Sequence, residues 1–176
     1  IKNFGDGIAE TIISERKQNG PYKSLADFLS RIFDRNLNKK SLEALITTGA
    51  LDRFHERGHM YLNLETLLAF NKDTVARREA AQSSLFGGLD GGVDSLVLKD
   101  APPATQTQKL QWEKDLLGVY VSGHPLDAYQ DEVAKRPRIK QIIEDKRQGI
   151  PVVTCGMIAS VRELLTKKGD RMAFVQ

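Results

Sequence analysis

The sequence predicts a mainly α-helical protein that ends in a β-hairpin, and three observations support this prediction. Apolar residues recur at helical spacing through most of residues 1–82 and again within residues 109–149. Residues 83–108 lack this periodicity and are rich in glycine, proline, threonine and glutamine, which is typical of a flexible linker. From residue 150 to residue 176 the apolar spacing changes to that of strands. These four segments form the predicted domain organisation.

Composition excludes several classes of protein. The chain has 176 residues, of which 40% are hydrophobic and 28% are charged, so it is not compositionally disordered. No window approaches the roughly 18 uninterrupted apolar residues of a membrane span, and we expect no membrane partner. The single cysteine, Cys155, cannot form an intrachain disulfide, which favours the reducing cytoplasm. Because the chain starts without methionine and stops within an apolar run, we expect it to be a piece of a longer protein.

The positive charge is slight and lies at the two ends of the chain. The formal net charge is +3. Residues 1–60 contain ten basic and eight acidic side chains, and residues 151–176 contain four and two. A polyanion should therefore bind at the ends, and bulk charge alone would make that binding weak.

Local signals define the helices of the first segment. A helix follows Gly7 and ends before a glycine-proline pair. Ser24 and Asn38 are typical N-caps of two further helices. Residues 1–3 resemble the tail of an earlier helix, which gives four short helices, and one longer helix is predicted over residues 59–82.

The first functional motif is the turn Phe4-Gly5-Asp6-Gly7-Ile8, which leads directly into a helix. Two glycines allow the backbone to come within hydrogen-bonding distance of a phosphate. The new helix also presents N–H groups without intrahelical partners and the positive end of its dipole. A helix-hairpin-helix holds a DNA backbone in this way with few charges. The alternative is an ordinary glycine-rich turn between helices.

A second turn between helices, at residues 36–40, adds Lys39 and Lys40 at similar spacing. Two such turns in one compact helical unit can contact phosphates across one groove. The second turn lacks the Gly-x-Gly pattern, so we interpret it as a packing partner with a lesser DNA contact. The alternative for its lysines is a solvated surface.

A candidate docking peptide lies where the long helix meets the linker, in the string Gln82-Ser83-Ser84-Leu85-Phe86. Leu85 and Phe86 can fill an apolar pocket on a partner while the amide of Gln82 forms hydrogen bonds at its rim. The alternative is that this string folds back onto the helical unit.

The string from His55 to His59 formally matches the H-E-x-x-H pattern of zinc hydrolases. On a helix, His55 and His59 would face a zinc ion and Glu56 would be the general base. Gly58 interrupts that helix, and a connecting loop is the better interpretation. We therefore predict no metal, no cofactor and no catalytic residue in this chain.

The last segment predicts a hairpin whose turn contains Lys167 and Lys168. These lysines lack the glycine pattern of a phosphate-binding loop, but a basic hairpin tip can contact nucleic acid. Cys155 lies in an apolar strand pattern, which predicts a buried thiol.

Taken together, these strings resemble the C-family of bacterial replicative polymerases, the DNA polymerase III alpha subunits. The resemblance follows the family's order over nearly the whole chain. The strings that support it are residues 1–7, 19–28, 45–52, 112–126 and 156–174.

The resemblance implies a tandem helix-hairpin-helix unit at residues 1–82 that binds duplex DNA. It implies that Gln82, Leu85 and Phe86 at the start of the 83–108 linker bind the sliding clamp. Residues 109–149 become a helical connecting segment, and residues 150–176 become the first strands of an incomplete OB-fold, a β-barrel near single-stranded template. The family's polymerase carboxylates lie upstream, so this fragment should support processive synthesis among other replisome subunits without catalysing it.

Two alternatives to this function remain. The first is a helix-hairpin-helix module of a repair ligase or nuclease, which would lack the Gln-x-x-Leu-Phe string and the following strands. The second is a zinc hydrolase that uses His55, Glu56 and His59.

Overall fold

A computed structural model describes residues 1–83, 96–145, 149–167 and 169–176. The chain divides into two compact units, residues 1–122 and residues 123–176. The first unit is helical and the second contains short helices and a two-stranded antiparallel sheet, so the predicted fold class is confirmed. None of the helices in the described ranges is long and apolar enough to cross a membrane.

Three helices open the first unit, and their ends follow the predicted signals. Helix α1 is Asp6–Asn19, α2 is Leu25–Arg31 and α3 is Lys39–Thr47. The side chain of Ser24 accepts a hydrogen bond from the Asp27 N–H at 3.0 Å, which caps α2. At α3, Asn38 and Ser41 cap each other's backbone N–H groups.

The expected helical tail at residues 1–3 is wrong, because residues 1–5 are not helical. Asn3 has a φ of 62°, the left-handed conformation that ends a right-handed helix. The chain therefore reaches α1 through a turn, and residues 1–54 contain three helices where four were expected.

The predicted helix over residues 59–82 is in fact two helices, α4 at Arg57–Leu62 and α5 at Leu64–Ser83. They separate at Asn63, whose backbone N–H donates back to the carbonyls of His59 and Met60. The Asn63 side chain also donates to the His59 carbonyl at 2.8 Å. This local capping ends α4 before the next helix begins.

The core of the first unit lies between α5 and the three opening helices, α1 to α3. Helix α5 packs against α2 and α3. The buried Asn71 side chain donates to the carbonyls of Leu29 at 2.7 Å and Ile32 at 3.0 Å, which satisfies the end of α2. The largest apolar side chains at or below 1% exposure are Ile8, Phe28, Leu29, Ile32, Leu42, Ile46, Met60 and Leu67.

Residues 96–105, which we assigned to the linker, are fixed on this helical unit. Leu96 and Leu98 pack against the core. Lys99 exchanges two hydrogen bonds with the side chain of Asn63, at 2.9 Å and 2.8 Å. A Cβ on Gly58 would overlap the backbone nitrogen of Ala104, so this glycine permits the close approach. We call residues 96–105 the strap.

Helix α6, Gln106–Leu117, follows the strap and belongs to the same compact unit. Thr105 caps its first turn in a reciprocal pair with Gln108. Gly118, with a φ of 78°, ends it in the left-handed conformation. Helix α6 packs against α3, and Leu110 is buried.

The second unit begins with a 3₁₀ helix at Pro125–Tyr129, followed by α7 at Gln130–Ala134 and α8 at Ile139–Glu144. Strands β1, Val161–Leu165, and β2, Arg171–Val175, pair antiparallel. The predicted hairpin is therefore confirmed.

Both faces of the hairpin are largely exposed. Cys155 is also exposed, so the predicted buried thiol is wrong. The residue lies in an exposed stretch at 151–160 that precedes the strands, and an apolar alternation buries a side chain only where a second layer covers it.

Candidate nucleic-acid interface

The turn at residues 4–8, which we call the first hairpin, has exposed backbone without side chains at its tip. Gly5, Asp6 and Gly7 are exposed, and a Cβ on either glycine would have no heavy atom within 4 Å. Phe4 packs against the core, and the side chain of Ile8 is buried at 1% exposure. Of the five predicted residues, the two apolar ones therefore anchor the hairpin with their side chains, which leaves only their backbone for the predicted phosphate contact.

The start of α1 has hydrogen-bond donors without helical partners. The first bond of the helix runs from the Ala9 N–H to the Gly5 carbonyl at 3.3 Å. The N–H groups of Asp6, Gly7 and Ile8 precede it, and no side chain caps them in the described structure. Three donors and the positive end of the helix dipole thus meet at an exposed, glycine-flanked surface. The Asp6 carboxylate stabilises this helix end but repels an approaching phosphate.

The second hairpin is the turn at residues 36–40, between α2 and α3, and Asp34 fixes its shape. Its carboxylate accepts a hydrogen bond from the Asn36 N–H at 2.8 Å, and its carbonyl accepts one from the Leu37 N–H at 2.8 Å. Leu37 is buried and anchors the turn. Because Asn38 and Ser41 already satisfy N–H groups at the start of α3, this hairpin offers fewer donors than the first.

Helix α1, which follows the first hairpin, is joined to the second hairpin by a hydrogen bond from the Thr11 Oγ1 to the Asp34 Oδ2 at 2.7 Å. Hydrogen bonds from the Asn36 backbone and, more weakly, from Thr11 hold the pKa of Asp34 below its ordinary value, even though partial burial opposes them. The charged carboxylate thus accepts bonds from α1 and from the second hairpin.

The two predicted lysines of the second hairpin differ in their surroundings. Lys39 forms an exposed ion pair with Glu65, with 2.6 Å between Nζ and Oε1, and this partner raises the pKa of Lys39. Lys40 is exposed on the same first turn of α3. A phosphate would have to compete with Glu65 for Lys39, and solvent-exposed ion pairs of this kind contribute little to stability.

The string from His55 to His59 does not form one helical face. Helix α4 starts at Arg57, and Glu56 is its N-cap, accepting from the N–H groups of Gly58 at 2.6 Å and His59 at 3.2 Å. Burial would raise the pKa of Glu56, but bonds from Lys109 and the backbone lower it below its ordinary value. Its carboxylate therefore has a structural role. Among the described residues, no group of three or more His, Cys, Asp or Glu side chains is placed to hold a metal.

The remaining predicted residues lie partly outside the described structure. Gln82 is in the last turn of α5, but its side chain, like Leu85 and Phe86, is outside the described residues. Lys167 is exposed in the turn between β1 and β2, and Lys168 lies outside the described residues.

Sequence reasoning missed an ionic cluster in which Arg57 pairs with the buried Glu113 and with the more exposed Asp52. The Arg57 Nε lies 2.9 Å from both Asp52 carboxylate oxygens, and its Nη1 lies 2.7 Å from the Glu113 Oε1. Glu113 is fully buried. The sequence signal that could have revealed Glu113 is its position on α6. Residues 110, 113 and 117 share one face of this helix, and residues 110 and 117 are leucines.

Comparison with known proteins adds to this geometry. Residues 1–60, which contain both hairpins, match a family model described as a helix-hairpin-helix motif. The chain is 39% identical over 178 residues to DNA polymerase III subunit alpha of Thermus aquaticus, with 98% of the chain and 14% of the relative covered. The chain is homologous to one segment of the DNA polymerase III alpha subunits.

Other alpha subunits agree with this relationship. The alpha subunit of Pseudomonas fluorescens is 36% identical over 194 residues, covering 99% of this chain and 16% of the relative. That of Deinococcus radiodurans is 33% identical over 186 residues, covering 98% and 14%. The chain thus spans about one-seventh to one-sixth of the length of these alpha subunits. The predicted resemblance is confirmed.

Proposed function

We propose that this chain is a non-catalytic part of a replicative DNA polymerase that binds the backbone of duplex DNA through its first hairpin and a sliding clamp through residues 82–86. The whole protein would be a DNA-directed DNA polymerase of the alpha-subunit type. In this proposal the fragment holds the polymerase on DNA and thereby supports processive synthesis.

The exposed start of α1 is the observation that supports DNA binding most directly. Gly5 and Gly7 leave open space beside three N–H groups, and the segment matches a helix-hairpin-helix model. A phosphate oxygen that approaches within hydrogen-bonding distance would accept from these groups along the helix dipole. Backbone donors do not read bases, so the proposed contact is independent of DNA sequence.

The charge distribution fits a contact of this kind. The net charge is only +3, and Lys39 is already paired with Glu65. Few cations are therefore released from DNA when the chain binds, and the proposed affinity falls with salt along a shallow slope.

The test of DNA binding is Gly7→Val, measured by fluorescence anisotropy with a labelled duplex. Because open space surrounds Gly7, the new side chain should not disturb packing but should keep a phosphate away from the N–H groups. We expect a loss of affinity of about tenfold, as for one or two lost hydrogen bonds to a charged group. Ser14→Val, at an exposed position of the same helix, is the matched control. Equal affinities for both variants would refute the role of the first hairpin.

Clamp binding through Gln82, Leu85 and Phe86 is the second part of the proposal. An apolar pair beside a glutamine is a typical short docking motif, in which the side chains fill a pocket on the partner. Tethering to a ring around DNA raises the effective concentration of the polymerase at the primer end.

The clamp proposal is tested with Leu85→Ala/Phe86→Ala by surface plasmon resonance on an immobilised bacterial sliding clamp. We expect capture to be lost. Val97→Ala, an exposed apolar position of the strap, is the control and should leave capture intact. Unchanged capture by the double variant would show that residues 82–86 are not the anchor.

For the second unit we propose a role beside single-stranded template. The support is an antiparallel hairpin with the exposed Lys167 at its turn, in the position where the resemblance expects an OB-fold. Oligonucleotide binding to a Lys167→Glu/Lys168→Glu variant tests this role, and unchanged single-strand affinity would contradict it.

A further inference from the structure

We propose that helix α6 is part of the DNA-binding unit and that Glu113 is a positioning residue for the first hairpin. Glu113 binds Arg57 and so holds α6 in position. The end of α6 in turn holds the chain that enters this hairpin. The inference rests on the proposed function of the first hairpin, and it assigns that function to residues 1–122 rather than to residues 1–82.

Helix α6 contacts the chain entering the first hairpin directly. The Lys2 N–H donates to the carbonyl of Leu116, in the last turn of α6, at 3.0 Å. Lys2 is followed by Asn3 in the left-handed conformation and then by the hairpin itself. The direction in which the chain reaches Gly5 is therefore set partly by the end of α6.

Glu113 determines where α6 can dock. Its Oε1 accepts from Arg57 at 2.7 Å, and its Oε2 accepts from the N–H groups of Val121 at 2.7 Å and Ser122 at 2.9 Å. Both oxygens are thus satisfied although the side chain is fully buried. A buried carboxylate without partners is costly, so α6 has one favourable register, in which these partners meet Glu113.

Arg57 also connects α6 to the helix that follows the second hairpin. Its Nη1 lies 3.4 Å from the carbonyl of Thr47, at the end of α3, whose first turn carries the second hairpin. Gly49 leaves room for the guanidinium, because a Cβ there would overlap Arg57. Through Arg57, Glu113 therefore joins α6 to the end of α3, the helix that follows the second hairpin. Leu116 holds the chain that enters the first hairpin.

An ion pair between Lys109 and Glu56 holds the beginning of α6 in position. The Lys109 Nζ lies 2.9 Å from the Glu56 Oε1, and Glu56 also accepts from the Ala104 N–H at 3.1 Å. Both residues are about three-quarters buried as side chains. Helix α6 is thus held at its start by Lys109, in its middle by Glu113 and at its end by the Lys2 backbone.

The test compares Glu113→Gln with Asp115→Asn in the whole chain. Both substitutions remove one negative charge from α6, so they change the net charge of the chain equally, but Asp115 is exposed. Two quantities are measured: the hydrogen-exchange rate of the Lys2 amide relative to that of Ala9, and the affinity for a labelled duplex. Exchange reports on the hairpin entry itself, which a general loss of stability would not affect selectively.

We expect Glu113→Gln to speed exchange at Lys2 by about fivefold without changing Ala9, and to weaken duplex binding by about tenfold. Asp115→Asn should leave both unchanged. Unchanged exchange at Lys2, or a duplex affinity equal to that of Asp115→Asn, would overturn the proposal. If the unmodified chain does not bind duplex DNA, the proposed function fails, and exchange at Lys2 still decides whether Glu113 positions the hairpin.

If circular dichroism shows that Glu113→Gln does not fold, the test uses a second, less disruptive pair of variants. Lys109→Met removes the contact with Glu56, and Lys114→Met removes the same charge from an exposed position of α6. We expect a smaller change in the same two measurements for Lys109→Met alone. Identical behaviour of the two lysine variants would overturn the proposal.

Discussion

Thr11 and Asp34, 23 residues apart in the sequence, are joined by a hydrogen bond of 2.7 Å that links helix α1 to the second hairpin. Replacing Thr11 by valine keeps the shape of the side chain and removes the donor. We expect the free energy of unfolding to fall by about 1 kcal/mol, the usual contribution of such a bond. Urea unfolding measures this loss. Thr74→Val, which removes a bond within α5 only, is the control and should cost less.

Gly49 should be intolerant of a side chain for two separable reasons. Its φ is 81°, and a Cβ would overlap the Arg57 guanidinium. Gly118 has a similar φ of 78° but open space around it. We expect Gly118→Ala to cost about 1 kcal/mol, from backbone strain alone, and Gly49→Ala to cost at least twice as much because it also displaces a buried ion pair. Thermal or urea unfolding compares the two, and equal costs would show that Arg57 moves aside freely.

Acid should destabilise the first unit through Glu113. Burial alone would raise the pKa of this carboxyl, but bonds from Ser122, Val121 and Arg57 lower it to about 2. A pKa depressed in the folded state contributes stability that is present above the ordinary value of 4.5 and is lost as the pH falls toward 2.

We expect Glu113 to contribute roughly 3 kcal/mol of this acid sensitivity. The measurement is urea unfolding at pH 5.5 and pH 3, followed by the fluorescence of Trp112 on the same helix. The stability difference between the unmodified chain and Glu113→Gln should narrow at the lower pH. A constant difference would mean that Glu113 does not titrate in this range.

The two lysines of the second hairpin should differ in their effect on duplex binding. Lys40→Ala should reduce the slope of log affinity against log salt by about one, as expected for one lost phosphate contact. Lys39→Ala should have a smaller effect because Glu65 already neutralises part of that charge. Glu65→Gln should raise the affinity by releasing Lys39. Anisotropy titrations at several salt concentrations measure all three, and an unchanged slope for Lys40→Ala would exclude a phosphate contact.

Those features that depend on local residues could be predicted from the sequence. Ser24 and Asn38 cap helices whose starts they mark, because a cap is made by residues only three positions apart. The exposed backbone of the first hairpin could likewise be predicted, since Gly5 at the start of α1 and Gly7 in its first turn carry no side chain.

Features made by distant partners could not be predicted in this way. Arg57 and Glu113 are 56 residues apart, and the sequence does not specify that they meet. The division at Asn63 depends on local capping, but its second partner, Lys99, lies 36 residues later. The placement of α6 and of the strap followed from these long-range contacts, which apolar periodicity does not reveal.

The strap has a mechanical consequence. Helix α5 and Leu96 belong to one compact unit, so both ends of the segment between them lie in that unit. A molecule that binds this segment and pulls on it would apply force to α5 and to the strap together. Because both lie in the same compact unit, that unit takes the force at two points.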